Sequence, residues 1–408
     1  MTWLLDDKPL QSVLVTRLRY LGDVVMSTVV LRALRDGDPD LKLGYLCEDA
    51  YAPVLEGHPD LHRLHRLGSR RRGPDAAARG AGGGGGDSFS AMVSRLSSAR
   101  YDLAVDLFFN PRSAVLLRAA GIPARIGGAR SWRRRLYTHT VVPENLPGAP
   151  DGWRDVAPGG LGDHLCRLAP LVHRESGRMF LDRLVEMGAS GPLLPELAVG
   201  SAAGLELPAL AAAGIEPGDE YLVLVPGATW PAKEWPLGRW LELLQRLHRE
   251  RPEKIAVLTP LGGGAAWKEL GDHIPAGRGG VLPPLALARV MGLLDGAKGV
   301  VGMDGGIMHT AVALGTPTVA LFGPTEPEIW FPYGHDPRFR VLAHSPPCHP
   351  CHLHVCRAFS CLPAVRPDEV TAALADVLSA AAVQERTVGN GVQTRRKPNG
   401  PQSREGNQ

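Results

Sequence analysis

The run GVVGMDGGIMHTAVALGTPTVALFGPTEP, residues 299–327, decides the fold. It reads as a short apolar strand over 299–302, a glycine turn carrying Asp304, Gly305 and Gly306, and a helix opened by Ile307, Met308 and His309. Gly315, Thr316 and Pro317 stop that helix, and a second apolar strand, 318–322, ends in the turn Gly323-Pro324-Thr325. Strand, turn, helix, strand is a βαβ unit, and open α/β sheets bind ligands at the carboxyl ends of their strands. Glycines there let a phosphate approach backbone N–H groups at a helix N-terminus, where the dipole favours anions. The stretch predicts a nucleotide pocket, with Asp304 and His309 both able to face the ligand.

The rest of the chain repeats this rhythm. An N-terminal series begins with a strand at 12–16, the loop RLRYLGD, a helix over 24–35, a strand at 41–46 and a short helix at 51–56. It resumes with a helix at 88–99 and a strand at 102–108. Residues 139–165 read as loop-rich. A second series starts at 221–225 and continues with the loop PGATWPAKEWP, a helix at 237–250, a strand at 255–259 and the triple-glycine turn at 262–264. An amphipathic helix near 368–381 closes it. Two βα series predict two Rossmann-like halves facing each other across a cleft, residues 1–205 and 206–382. The glycine-rich stretch at 70–87 reads as a flexible insertion and the polar tail 383–408 as disordered.

The 408 residues are 44% hydrophobic and 21% charged, as in ordinary soluble domains. The N-terminus lacks a signal pattern and no apolar run reaches membrane-spanning length, so the chain reads as cytoplasmic and its six cysteines as reduced. The net charge of +3 hides an asymmetry: residues 63–135 hold fifteen Arg, no Lys and four acids. Such a band suits an anionic partner, a phosphate-bearing glycolipid or a membrane surface, unless it is simply a solvated face. Arg112, Arg130, Arg133 and Arg134 are its candidate contacts. Nucleic acid is disfavoured, because no aromatic-rich basic module accompanies the arginines.

The first loop lacks G-x-G-x-x-G, which argues against a nicotinamide enzyme. Asp23 follows a glycine at a strand-to-helix turn, where it is either a general base or an N-cap. In the second half, Thr229 and Lys233 lie on a loop before a helix, a good place for a cation that reaches phosphate. Asp36-Gly37-Asp38 mimics a metal-binding D-x-D but reads as a solvent-facing turn. Cys348-x2-Cys351-x4-Cys356-x4-Cys361, interleaved with three histidines, has spacing suited to a closed structural Zn²⁺ site or an iron–sulfur cluster, with reduced buried thiols as the plainer alternative. Cys47 and Cys166 are isolated and read as core residues.

Three of these segments together resemble glycosyltransferase family 9, the heptosyltransferases of lipopolysaccharide core assembly. The resemblance rests on Leu21-Gly22-Asp23-Val24, on Pro226-Gly227-Ala228 with Lys233-Glu234-Trp235-Pro236, and on Asp304 through Ala311 followed by Gly315-Thr316-Pro317 and Gly323-Pro324-Thr325. It implies a GT-B fold and an inverting, metal-independent transfer with no catalytic cofactor. It also implies ADP-heptose as donor, an anionic lipid-linked acceptor, and contact with the inner face of the inner membrane. By position, Asp23 would match the base, and Thr229 and Lys233 the donor diphosphate contacts. Asp304, Gly305, Gly306, Met308 and His309 would cradle the nucleotide and sugar. Gly305 stands where the family usually has Thr or Ser. That lost hydroxyl keeps open a different sugar donor, or a catalytically idle nucleotide-sugar-binding or scaffold protein.

Overall fold

A computed structural model describes residues 2–69, 86–129, 131–146, 148–188, 192–200, 204, 206–259 and 265–389. Most of the 70–87 insertion, Arg130, the turn at 262–264 and the tail from 390 lie outside them.

Two six-stranded parallel sheets carry the chain. The first runs in the spatial order Arg63–Leu67, Lys42–Glu48, Ser12–Thr16, Leu103–Asp106, Ala124–Gly128, His139–Val141. The second runs Gly279–Leu282, Lys254–Leu258, Tyr221–Val225, Gly299–Met303, Thr318–Phe322, Phe339–Ala343. Each is the doubly wound order, in which the chain reverses direction beside its first strand and leaves a crevice at the carboxyl ends. Central strands such as Tyr221–Val225 and Thr318–Phe322 are buried at every position, as expected for a parallel sheet covered on both faces. Helix Leu237–Glu250 covers the second sheet through buried Trp240, Leu243, Leu244 and Leu247. Each large apolar side chain so buried contributes about 1.5–3 kcal/mol. A small antiparallel sheet ties the N-terminus, Trp3–Leu5, to Val172–His173.

Several local expectations change. The helix expected over 24–35 is two helices, Leu21–Met26 and Thr28–Gly37. Ser27 and Thr28 hydroxyls donate back to the Val24 and Val25 carbonyls, both at 2.8 Å, and so compete with the helical ladder. Asp23 sits inside the first helix and makes no capping bond there. Asp36-Gly37-Asp38 does not face solvent as a unit. A Cβ on Gly37 would lie 2.1 Å from the buried Trp3 ring, and Asp38 is buried. Residues 139–165 contain a strand and the helices Trp153–Val156 and Gly159–Leu165. The last helix, Pro367–Gly389, runs past 383, so the first residues of the expected disordered tail are helical. Cys47 and Cys166 are buried, as read.

The halves touch. The first core, built around Val13, Leu31 and Leu43, extends to Met308, Val312 and Tyr333 of the second half. Two glycines permit this approach. A Cβ on Gly22 would meet His309 Cδ2 at 2.7 Å, and one on Gly306 would meet Leu21 Cβ at 2.5 Å. Leu197 N–H also donates to Ala313 O at 3.0 Å, stitching the linker to the second half.

Candidate active site between the two sheets

On the second half, three neighbouring strands deliver three side chains to one point. Strand Gly299–Met303 pairs with Tyr221–Val225 on one side and Thr318–Phe322 on the other. The loops that follow them carry Asp304, Lys233 and Thr325. Lys233 Nζ lies 2.5 Å from Asp304 Oδ2, and Thr325 Oγ1 donates to the same oxygen at 2.5 Å. Lys233 Nζ also sits 4.4 Å from the centroid of the Trp230 ring. Both charges are largely buried, with side chains 12% and 5% exposed, so each depends on the other for its desolvation cost. Thr229, on the same loop as Lys233, is exposed.

Gly305 is extended at φ 178°, and a Cβ there would meet nothing closer than Met303 O at 3.8 Å. Helix Gly306–Ala313 begins here, its first N–H groups at the rim of the cleft. His309 is buried and its Nδ1 lies 2.7 Å from Tyr333 OH. Burial pushes the His309 pKa down to about 4, so the ring is neutral, and raises that of Tyr333 well above its usual value. Met308 does not join this set. At 1% exposed it belongs to the core shared by the two halves, because helical spacing turns it away from His309.

On the first half, Asp23 is half-buried, and its Oδ1 lies 2.5 Å from Arg17 Nη2. Burial raises the Asp23 pKa, while the Arg17 charge pulls the other way. A Cβ on Gly22 would touch the His309 ring that bonds Tyr333, so the start of the first helix approaches the His309–Tyr333 pair. Arg112 is not a free cation: it shares Glu48 with Arg19, at 2.9 and 2.7 Å, and donates to Gly68 O. Arg133 is half-buried and Arg134 exposed on the turn Trp132–Leu136. In the sequence Thr325 marks only the end of the Gly323-Pro324-Thr325 turn, while Tyr333, between helix Pro327–Trp330 and strand Phe339–Ala343, and Arg17 carry no signal of a role.

The cysteine segment packs beside the loops that carry Lys233 and Thr325. Cys348 is exposed, Cys351 and Cys356 half-buried and Cys361 buried, and no three metal-ligating side chains converge among the described residues. Cys351 and His352 N–H groups both donate to Pro324 O, at 3.1 and 3.0 Å. His354 stacks on Trp230 at 4.0 Å, and Ala232 N–H donates to His354 O at 3.0 Å.

Comparison with known proteins identifies the family. Residues 195–359 match the sequence model of Glycosyltransferase family 9 (heptosyltransferase). The chain is 30% identical over 347 residues to lipopolysaccharide heptosyltransferase 1 of Pseudomonas aeruginosa, covering 84% of this chain and 87% of that one. It is 25% identical to lipopolysaccharide heptosyltransferase 2 of Salmonella typhimurium, covering 80% and 87%. Among solved structures it resembles the E. coli ADP-heptose lps heptosyltransferase II, with a TM-score of 0.65, 20% identity and coverage of 92% and 99%. That likeness carries the GT-B fold. With the relationship to the Pseudomonas protein running through both halves, the chain belongs to glycosyltransferase family 9 and is a glycosyltransferase.

Proposed function

We propose that the protein transfers a heptose from ADP-heptose to a hydroxyl of an anionic, lipid-linked acceptor in lipopolysaccharide core assembly, with inversion and without a metal. The observation that supports this reading is the close approach of Gly22, the neighbour of Asp23, to His309 on the helix that follows Asp304, whose carboxylate holds Lys233 and Thr325. Asp23 takes the proton of the acceptor hydroxyl as its oxygen bonds to the anomeric carbon. The bond from that carbon to the diphosphate oxygen breaks on the opposite face, and ADP leaves with the electron pair. Charge on the sugar is oxocarbenium-like at that moment, and charge on the departing diphosphate grows. Lys233 and the N-terminus of helix Gly306–Ala313 supply the positive potential that a metal would otherwise provide. A half-buried carboxylate with a raised pKa is a better base than an exposed one, since its conjugate acid is closer to neutrality.

Thr229, exposed on the loop that carries Lys233, is assigned to the diphosphate, and Asp304, Gly305, Gly306 and His309 to the nucleotide and sugar. Arg133 and Arg134, with Arg130 outside the described residues, are assigned to the acceptor's anionic groups. No helix among the described residues is long and apolar enough to cross a membrane, so a lipid-linked acceptor would be met by peripheral contact at the inner face. The test is a donor panel. ADP-heptose, UDP-sugars and GDP-sugars are each incubated with lipid A–Kdo acceptor in the presence of EDTA, and products are read by mass. Transfer from ADP-heptose alone, lost in Asp23→Ala, is expected. ADP binding without transfer from any donor would instead favour an idle binding protein.

A further inference from the structure

The residue that faces the proposed base is as deliberately held as the base itself. Strand Ser12–Thr16 pairs with Leu103–Asp106, bringing Thr16 opposite Asp106, and the two loops beyond them interlock. Asp106 is fully buried. Its Oδ1 accepts the N–H groups of Phe108 and Phe109 at 3.0 and 3.1 Å, and its Oδ2 accepts the Tyr137 hydroxyl at 2.7 Å. That grip holds Phe109 at φ 52°, in the left-handed region that an aromatic residue rarely occupies. The turn so formed presents a carbonyl and a ring to one guanidinium. Arg17 Nη1 donates to Leu107 O at 3.0 Å, and Arg17 Cζ lies 4.6 Å from the centroid of Phe108. The remaining nitrogen, Nη2, reaches Asp23 Oδ1 at 2.5 Å. Arg17 Nε is buried with no hydrogen-bond partner among the described residues. Two of its three nitrogens are thus committed, one to Leu107 O and one to Asp23.

We propose that Arg17 is the positioning residue of the base: fixed by the Asp106 turn, it holds one oxygen of Asp23 and keeps the carboxylate ionised, leaving the second oxygen to take the acceptor's proton. This rests on the reading of Asp23 as the base. The other groups near the pair are neutral around pH 7. Burial holds His309 at about 4 and His164, which is coupled to Arg17, at about 3. Tyr45 and Tyr333, both coupled to Asp23, are raised. The charge facing Asp23 is therefore Arg17's, which works against the burial that raises the carboxyl's pKa.

The test is the pH dependence of kcat in Arg17→Met and Arg17→Lys, with ADP binding by calorimetry as the check on the donor half. Removing a cation at salt-bridge distance moves the acid limb of the profile up by about one to three pH units. Arg17→Met is therefore expected to lose at least about tenfold in kcat at pH 6.5 and to recover part of it at pH 9. KM for ADP-heptose and Kd for ADP should stay within about threefold, the mark of a loss confined to the transition state. Arg17→Lys keeps the charge and is expected to keep the limb near its original position. An Arg17→Met profile that superimposes on the parent overturns the inference while leaving Asp23 as the base. Should Arg17→Met fail to fold, Arg17→Gln carries the same expectation and the same overturning result. Transfer surviving in Asp23→Ala overturns the reading of the base itself.

Discussion

Lys233 Nζ and Asp304 Oδ2 lie 2.5 Å apart at the ends of two neighbouring parallel strands, with Thr325 donating to the same carboxylate oxygen. Before donor arrives, the cation assigned to the diphosphate is thus kept in place by a carboxylate of its own half. Such pairing pre-orients the lysine and spares it the cost of standing alone in a desolvated site.

Removing either partner is expected to destabilise the fold, because the survivor is a buried and uncompensated charge. Lys233→Ala should cost about 3–5 kcal/mol of unfolding free energy. Its ADP affinity should fall about 10- to 100-fold, the worth of one charge-assisted contact. The double variant Lys233→Ala/Asp304→Asn separates the two effects. Urea titration should show most of the stability restored, and calorimetry should show ADP affinity still lost. Restored affinity in the double variant would remove Lys233 from the donor site.

Much of this site was legible because short motifs with few conformational options carry it. The run 299–327 folds as strand, turn, helix and strand, and Lys233 reaches Asp304 from the neighbouring strand's loop as the parallel order requires. What stayed hidden depends on contacts distant in sequence. Arg63–Leu67, with only Leu64 and Leu67 apolar, lacks a two-residue alternation of apolar side chains and becomes a strand at the edge of a formed sheet, beside Lys42–Glu48. Arg17 and Tyr333 occupy loops whose sequence says nothing until Phe108, His309 and Asp23 surround them. The placement of the cysteine segment was hidden in the same way, since its backbone bonds to Pro324 and the stacking of His354 on Trp230 join it to loops distant in sequence.

Gly306 marks where the two halves close, since a side chain there must displace Leu21 of the opposite half. Gly306→Ala is expected to cost about 1–3 kcal/mol of overpacking if the halves stay together. If instead they part, the base is carried away from the donor. Kinetics should then show kcat reduced by about 10-fold or more with ADP affinity nearly unchanged, because misplacing the reacting groups costs rate rather than binding. A Gly306→Ala enzyme with parental kcat would mean that the close approach of Leu21 plays no part in transfer.

Four of the buried histidines give the fold a signed response to acid. Burial lowers His58, His65 and His309 to about 4, and His164 to about 3. In the unfolded chain each binds a proton near pH 6.5, so between 6.5 and 4 the unfolded state holds more protons than the folded one. Stability is therefore complete above pH 6.5 and is lost as pH falls, each histidine adding a slope that approaches about 1.4 kcal/mol per pH unit. Asp23, Asp106 and Glu234, raised by burial, oppose this, but they are three groups against four. Urea midpoints at pH 7.5 and pH 5.0 should differ clearly. Equal midpoints would contradict the burial of these rings in neutral form.

The acceptor side should be separable from the donor side by charge. Arg134 is exposed and Arg133 half-buried on the turn Trp132–Leu136, away from the Glu48 carboxylate that occupies Arg112. Reversing Arg134 to Glu should raise KM for a phosphorylated or carboxylated acceptor several-fold and weaken the salt dependence of that KM, since screened charges act through the solvent. KM for ADP-heptose should not move. An equal rise in both constants would place Arg134 in the general fold instead.

Gly305 tests how the donor's sugar is read. Its extended backbone suits any residue, and the nearest atom to an added Cβ, Met303 O, is at ordinary contact distance. Gly305→Ser should therefore fold with a melting temperature close to the parent's, adding a hydroxyl at the mouth of the nucleotide-side turn. If that hydroxyl points toward the sugar, ADP affinity stays constant while ADP-heptose affinity rises, by about 5- to 10-fold for one neutral hydrogen bond. Calorimetric titration of both ligands into the parent and the variant measures the difference directly. Equal changes for ADP and ADP-heptose would assign the position to the diphosphate, and the sugar would then be selected by His309 and the first half of the chain.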